Sequence, residues 1–307
     1  YDFALIYSLI LSFLITAIAS NFLIFKKNTG GKYEKKIISK FFSYGFPLTG
    51  LFIFDYILTF SDRLLIGHYL GSDMVGMYGA NYDLIKMMVL FGMIIQGYII
   101  YPELNKTFEK NDLNEVKKLM TFNFNIFITV FLPLCVFILY FNNSISDIFI
   151  GKKFTIMSSE LIPLFSMMFL FWGLKIHHFD YIFQLSEKTS LSMYILFFGS
   201  FINLLLNIFL IPRVELLGAA YATFASYIII LLISLLISRK LLKVSIDIKI
   251  LIKTGLFLVI GLIISIVFSG LGFNDFIAMA IFISCYGVLT FKYNYKDLKH
   301  YFIKLYF

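Results

Sequence analysis

Nine long apolar runs constrain this chain more than any other feature. They occupy roughly residues 3–25, 41–60, 76–100, 122–141, 158–178, 191–211, 216–238, 250–268 and 276–291. A helix of about 20 residues crosses about 30 Å of hydrocarbon, and inside a bilayer only helices and closed barrels satisfy their own backbone polar groups. A barrel would show segments of about ten residues with alternating polarity. These runs are continuous, so the predicted fold class is an all-α polytopic membrane protein with about nine transmembrane helices. The second and third runs are the least regular, because both carry charges and residues 61–75 between them are themselves half apolar.

Composition agrees. The 307 residues are 60% hydrophobic and 14% charged, with a mean hydropathy of +0.88. A soluble domain carries about 25% charged residues, so a soluble enzyme is excluded, as is disorder. The net charge of +8 resides mostly in the gaps between runs, a topology signal rather than a nucleic-acid footprint. One set of alternate gaps holds 21 of the Lys and Arg residues and the opposite set holds four. That asymmetry places the first set and the C-terminus in the cytoplasm. Tyr1 then falls outside. The apolar run starts at once, with no signal-peptide n-region, so earlier helices are expected to precede it. Cys135 and Cys285 lie far apart inside apolar runs and read as small hydrophobes, with no disulfide or metal framework. Residues 108–120 (FEKNDLNEVKKLM) read either as a short amphipathic surface helix or as a solvated connector.

Charged side chains inside a span cost about 2.5–3.5 kcal/mol each on insertion scales, so each needs a reason. The second span contains Pro47, which can kink it, and then Asp55, Thr59 and Asp62 within about 60° of arc, with Arg63 at the edge of that face. This reads either as a polar stripe along a wet cavity or as an Asp–Arg pair at the membrane edge. In the third span, Tyr78, Tyr82, Lys86, Met93 and Gln96 share about 80° of arc. Lys86 lies about 15 Å into that span, too deep for easy snorkelling. It suits an anionic group such as a phosphate. The alternative is an internal pair with Asp83, three residues earlier.

Lys175, His177, His178 and Asp180 follow Trp172 and read as an interfacial anchor at the end of the fifth span; a proton-responsive His177 is the weaker reading. Adjacent histidines do not share a helix face, which argues against a metal site, and no cofactor is expected. Asn203 and Asn207 are placed to bond across to a neighbouring helix. Gly218, Ala222 and Ser226, with Ala219 and Thr223, permit close helix packing. No P-loop, G-x-S-x-G, H-E-x-x-H or C-x-x-C motif occurs, so the chain is not expected to be an enzyme.

Four segments, in order, resemble the second half of the polysaccharide biosynthesis proteins, the lipid-linked oligosaccharide flippases of the MOP exporter superfamily. They are YGFPLTG at 44–50 running on to Ser61, Asp62, Arg63, Leu70 and Gly71; VGMY at 75–78; IGKKF at 150–154 with LIP at 161–163; and Asn207 through IPR at 211–213, LGAA at 217–220 and Ala222-Thr223. The resemblance implies two six-helix lobes around a central cavity. Residues 1–40 would be the last helix of the first lobe and a basic linker, 41–244 the second lobe, and 245–307 two extra helices and a basic tail. Glu215 departs from the pattern, standing where the family usually has a shorter, neutral connection. The implied activity is translocation of undecaprenyl-diphosphate-linked oligosaccharide across the bacterial plasma membrane by alternating access. Asp55, Asp62, Arg63, Tyr82, Asp83, Lys86 and Gln96 are the candidate cavity residues. The implied partners are the lipid-linked oligosaccharide, membrane lipid and other glycan-assembly proteins. The competing expectations are a cation-coupled drug antiporter of the same superfamily, a membrane polymerase or ligase, and a scaffold of a glycan-assembly complex.

Overall fold

The computed structural model describes residues 4–27, 35–244 and 247–306. Among them there is no strand, and seven helices are long and apolar enough to cross a membrane. The chain is therefore an all-α, multi-pass membrane protein. It divides into two units, Tyr1–Gly45 and Phe46–Phe307. The first holds α1 (Ala4–Lys27), whose residues 7–23 form an apolar helical stretch, and the start of α2.

The second unit carries most of α2 (Lys35–Leu70), then α3 (Ser72–Glu109), α4 (Leu113–Tyr140) and a short α5 (Asn142–Phe149). After a 3-10 turn at Lys152–Phe154 come α6 (Ser158–Leu174), a π-helical turn at Lys175–Phe179 and α7 (Asp180–Leu185). These three run as one apolar span of 28 residues, Ser158–Leu185. The 53-residue α8 (Thr189–Leu241) is broken at Glu215 and contains two of the apolar runs, 191–211 and 216–238. Then α9 (Ile248–Gly270) and α10 (Asp275–Tyr306) pack against each other and against α4. The described residues of all nine apolar runs therefore lie on helices, with the first run in the other unit.

The irregular stretch at 61–75 resolves simply. The helix of the second run continues to Leu70, and the chain turns at Gly71, whose φ of 92° favours a residue without Cβ. The amphipathic surface helix at 108–120 does not form. α3 continues to Glu109, Asn111 takes a positive φ, and the Asp112 carboxylate accepts from the Glu115 N–H to cap α4. Residues 113–120 are the opening turns of a membrane helix, and Val116, Leu119 and Met120 are buried.

Packing at the end of the unit holding the α2–α3 turn is fixed by polar contacts. Lys153 pairs with Asp73 at 2.9 Å. Asn81 donates to the Phe154 carbonyl and accepts from the Ser158 hydroxyl, tying α3 to the 3-10 turn and α6. Deeper in, Ser61 Oγ and Asn207 Nδ2 donate to Asn203 Oδ1, while Asn203 Nδ2 donates to Thr223 Oγ1. Asn203 thus bridges both halves of α8 and α2, as the asparagine spacing predicts. Gly218 lies against the Leu210 and Ile211 backbone, because α8 folds back on itself at Glu215. Cys135 is buried and Cys285 half-buried, and both are free thiols.

Candidate functional site: a charged cavity between the helices

Between α2, α3, α6, the π-turn and α8 lies a cavity of about 240 Å³. Asp55 and Thr59 come from α2, Tyr82 and Lys86 from α3, Phe169 and Trp172 from α6, His177 from the π-turn and Tyr227 from α8. The walls are largely aromatic, with a cation and a carboxylate among them. Trp172 and Tyr227 stack with centroids 4.7 Å apart and planes 17° apart. Tyr82 packs edge-on against Phe165 and Phe169.

Lys86 is half-buried and lies about 21 Å along α3 from its start, near mid-bilayer depth. Its ammonium sits 5.8 Å from the Tyr82 ring centroid and has no ion pair among the described residues. The Asp83–Lys86 pair does not form. Asp83 instead binds Arg63 of α2 at 2.5 Å, and the Arg63 guanidinium also lies over the rings of Phe60 and Tyr82. Residues three apart on a helix point only about 60° from each other, so it is the Arg63 guanidinium beside Asp83, and not a different helix face, that draws Asp83 away from Lys86. Asp55 presents a buried Oδ1 with no hydrogen-bond partner.

The other candidates form a layer beside the cavity. Asp62 is fully buried and accepts from the Tyr78 hydroxyl at 2.6 Å and from the Arg63 N–H at 3.1 Å. It pairs with neither the cavity nor the Arg63 guanidinium. Gln96 is a structural strap outside the cavity lining: its Nε2 donates to both oxygens of Asn123, whose Nδ2 donates to the His177 carbonyl at 2.6 Å. So Asp55, Tyr82 and Lys86 converge on the cavity, Arg63, Asp62 and Asp83 adjoin it, and Gln96 braces it from behind.

The reading of Lys175 to Asp180 as an interfacial anchor is corrected. Lys175 is 2% exposed and donates to Asp180 Oδ2 at 2.7 Å. Ser192 Oγ on α8 donates to Asp180 Oδ1 at 2.6 Å, and the Lys175 ammonium lies 5.1 Å from the Trp172 ring centroid. His177 Nδ1 lies 3.0 Å from the Tyr181 hydroxyl. A strict α-helical spacing hides this cluster, since residues five apart point about 140° from each other. The π-turn brings them together. Trp172 and Tyr227 escaped notice for another reason: aromatic residues in apolar runs look alike whether they face lipid or a cavity.

Fold and cavity together define a multi-pass helical membrane protein with a two-signed, aromatic-walled site between its helices. The model of the polysaccharide biosynthesis protein family matches residues 2–159, just over half of the chain, and the chain belongs to that family. Asp55, Thr59, Tyr82 and Lys86 lie within the matched part, whereas Trp172, His177 and Tyr227 lie beyond it. The chain is 24% identical over 216 residues to an uncharacterized membrane protein, MJ1068, of Methanocaldococcus jannaschii, covering 69% of this chain and 41% of that protein. It is 25% identical over 177 residues to the probable low-salt glycan biosynthesis flippase Agl15 of Haloferax volcanii, covering 56% of this chain and 36% of that protein. The matched region thus spans well under half the length of these relatives.

Proposed function

We propose that this chain provides one side of the pathway in a transporter that moves a lipid-linked glycan across a membrane, the glycan entering the cavity while its polyprenyl tail stays in lipid. The observation that carries the reading is Lys86: a cation near mid-bilayer depth, in an aromatic-walled cavity, with no carboxylate paired to it. An unpaired ammonium there is costly unless it meets an anion, and the phosphate of a polyprenyl carrier supplies one. Aromatic faces suit the apolar C–H surfaces of sugar rings. Family membership and the resemblance to a probable glycan flippase support the same assignment. The carrier is proposed as a polyprenyl phosphate or diphosphate, of which undecaprenyl diphosphate is one case.

In this reading the protein performs no bond chemistry, its C-terminus is cytoplasmic, and rocking of helical bundles gives alternating access. Other glycan-assembly proteins supply and consume the cargo. The test is export of lipid-linked glycan in cells whose own gene is replaced by a Lys86→Ala or Lys86→Arg variant. Loss with alanine and retention with arginine supports the assignment, and normal export by the alanine variant at wild-type abundance sinks it. Asp55 favours a second reading, an exporter of organic cations, because it offers that cavity an unsatisfied carboxylate oxygen. Transport of a cationic dye that requires Asp55 and is indifferent to Lys86 would select it.

A further inference from the structure

Two helices each present a polar pair, one turn apart, to the cavity: Asp55 and Thr59 on α2, Tyr82 and Lys86 on α3. Asp55 and Lys86 are opposite in charge and line the same space, yet no ion pair joins them. The Arg63–Asp83 contact sets the register that keeps them apart. From it, Asp55 lies eight residues back along α2, and Lys86 lies three residues on along the antiparallel α3. The difference offsets the two by about 7.5 Å along the helices. The Asp55 Oδ1 is nevertheless buried and has no hydrogen-bond partner. A buried polar atom left unpaired calls for an explanation, and one that lines a cavity has an obvious one, a donor brought by the ligand.

Size narrows the choice. The cavity of about 240 Å³ equals roughly the liquid volume of eight waters. It holds one sugar ring with its phosphate and is too small for a chain of sugars. We propose that Asp55 reads the sugar joined directly to the carrier: with the phosphate on Lys86, the Asp55 carboxylate accepts a hydroxyl or amide N–H from the far side of that one ring. This rests on the reading of Lys86 as the phosphate site, and adds which sugar is read and by which group. A carboxylate is a strong acceptor, and the aromatic walls at Tyr82, Phe169 and Trp172 keep water from competing for it. A ring without the donor would leave that oxygen buried and unpaired, which is how a polar site rejects an analogue. Sugars beyond the first lie outside this cavity, so glycans that share the first sugar and differ further on are treated alike by it.

The test uses the purified full-length protein in detergent and reads the concentration of each probe that gives half its maximal rise in unfolding midpoint. The probes are inorganic phosphate, cyclohexyl phosphate, glucosamine 1-phosphate, and the 1-phosphates of glucose, galactose, mannose and N-acetylglucosamine. At least one of the last four is expected to bind about tenfold more tightly than inorganic or cyclohexyl phosphate, the gain of one hydrogen bond to a charged acceptor. Asp55→Leu should remove that preference and bind inorganic phosphate no more weakly, since a like charge has gone. Asp55→Asn keeps an acceptor oxygen and should retain part of the preference. Lys86→Ala should weaken every probe. Without any probe, Asp55→Leu should unfold at a higher temperature than the parent, because an unpaired buried carboxylate is gone. If inorganic phosphate acts equally on the parent and on Lys86→Ala, the phosphate reading falls and this inference falls with it. A phosphate response that needs Lys86, with no preference for any of the four sugars, overturns this inference alone, as does a preference that survives Asp55→Leu. A gain confined to glucosamine 1-phosphate would mean that Asp55 takes a cation, and would overturn it too. Should Asp55→Leu not accumulate, the four sugars against cyclohexyl phosphate in the parent decide the matter.

Discussion

Arg63 of α2 and Asp83 of α3 form an ion pair at 2.5 Å, and through it Asp83 is taken away from Lys86. One contact joins two helices and leaves the neighbouring lysine beside the Tyr82 ring, with no ion pair among the described residues. Lys86 and Asp83 should therefore behave as independent residues. Lys86→Ala is expected to abolish glycan export, while Asp83→Asn leaves the cavity cation as it was and lowers protein abundance instead. Asp83 lies within the same span as Lys86, so its pair with Arg63 offsets part of the cost of holding two charges there. Export assays normalised to protein level separate the two effects, and equal loss of normalised export in both variants would mean that the residues act as a pair after all.

Asp62 and Tyr78 are expected to matter for stability rather than for cargo. Asp62 is buried without a cationic partner in hydrogen-bond contact, and the Tyr78 hydroxyl and the Arg63 N–H occupy its oxygens. Asp62→Ala strands the buried Tyr78 hydroxyl, at about 1–3 kcal/mol, while the Arg63 N–H keeps its place in the helical ladder of α2. Asp62→Asn keeps the acceptor for one donor and should lose less. The check is thermal unfolding of the purified protein in detergent, in which alanine lowers the midpoint more than asparagine does.

How much of this was legible beforehand depends on which interaction had to be seen. The helices announced themselves, because length and continuous apolarity are properties of the chain alone. The α2–α3 face was legible too, since Asp55, Tyr82 and Lys86 recur at helical spacing. What a residue binds was not. Asp83 lies three residues before Lys86, an arrangement that favours a pair within the helix, and only the neighbouring helix revealed a better partner in Arg63. Lys175 and Asp180 stood out as charged neighbours, but their pairing did not, because a π-turn breaks the period of 3.6 residues that keeps residues five apart on different faces. The break in α8 was legible, because the runs at 191–211 and 216–238 leave a turn between them, and the structure places it at Glu215.

Asn203 ties α2 and both halves of α8 through Ser61, Thr223 and Asn207. Polar contacts of this kind in membranes are worth about 0.6–2 kcal/mol each. Asn203→Ala removes three at once and also leaves Asn207 unpaired, so its effect should exceed that of Thr223→Val, which removes one. Unfolding midpoints in detergent, with Asn203→Ala the lowest of the set, would establish the order. A Thr223→Val midpoint as low as that of Asn203→Ala would contradict it.

The break in α8 gives a prediction of the opposite sign. Glu215 holds φ 53° and ψ −133°, close to the first central position of a type II′ turn. That region is nearly reserved for glycine, because a Cβ there clashes with the adjoining peptide, at about 1–3 kcal/mol. The Glu215 side chain is exposed and has no hydrogen bond or ion pair to offset the strain. Glu215→Gly should therefore raise the unfolding midpoint, and Glu215→Val, β-branched and stiff, should lower it. Gly218, three residues on, has the reverse requirement. A Cβ there would lie 2.5 Å from the Leu210 carbonyl oxygen, a backbone atom that cannot swing away, so Gly218→Ala should destabilise. Gly255 on α9 meets nothing within 4 Å, and Gly255→Ala should be neutral or slightly stabilising by helix propensity. If the fold-back at Glu215 is correct, the four midpoints rank with Glu215→Gly above the parent, Gly255→Ala at or just above it, and Glu215→Val and Gly218→Ala below. A straight α8 would reverse the first of these, since glycine in a continuous helix destabilises.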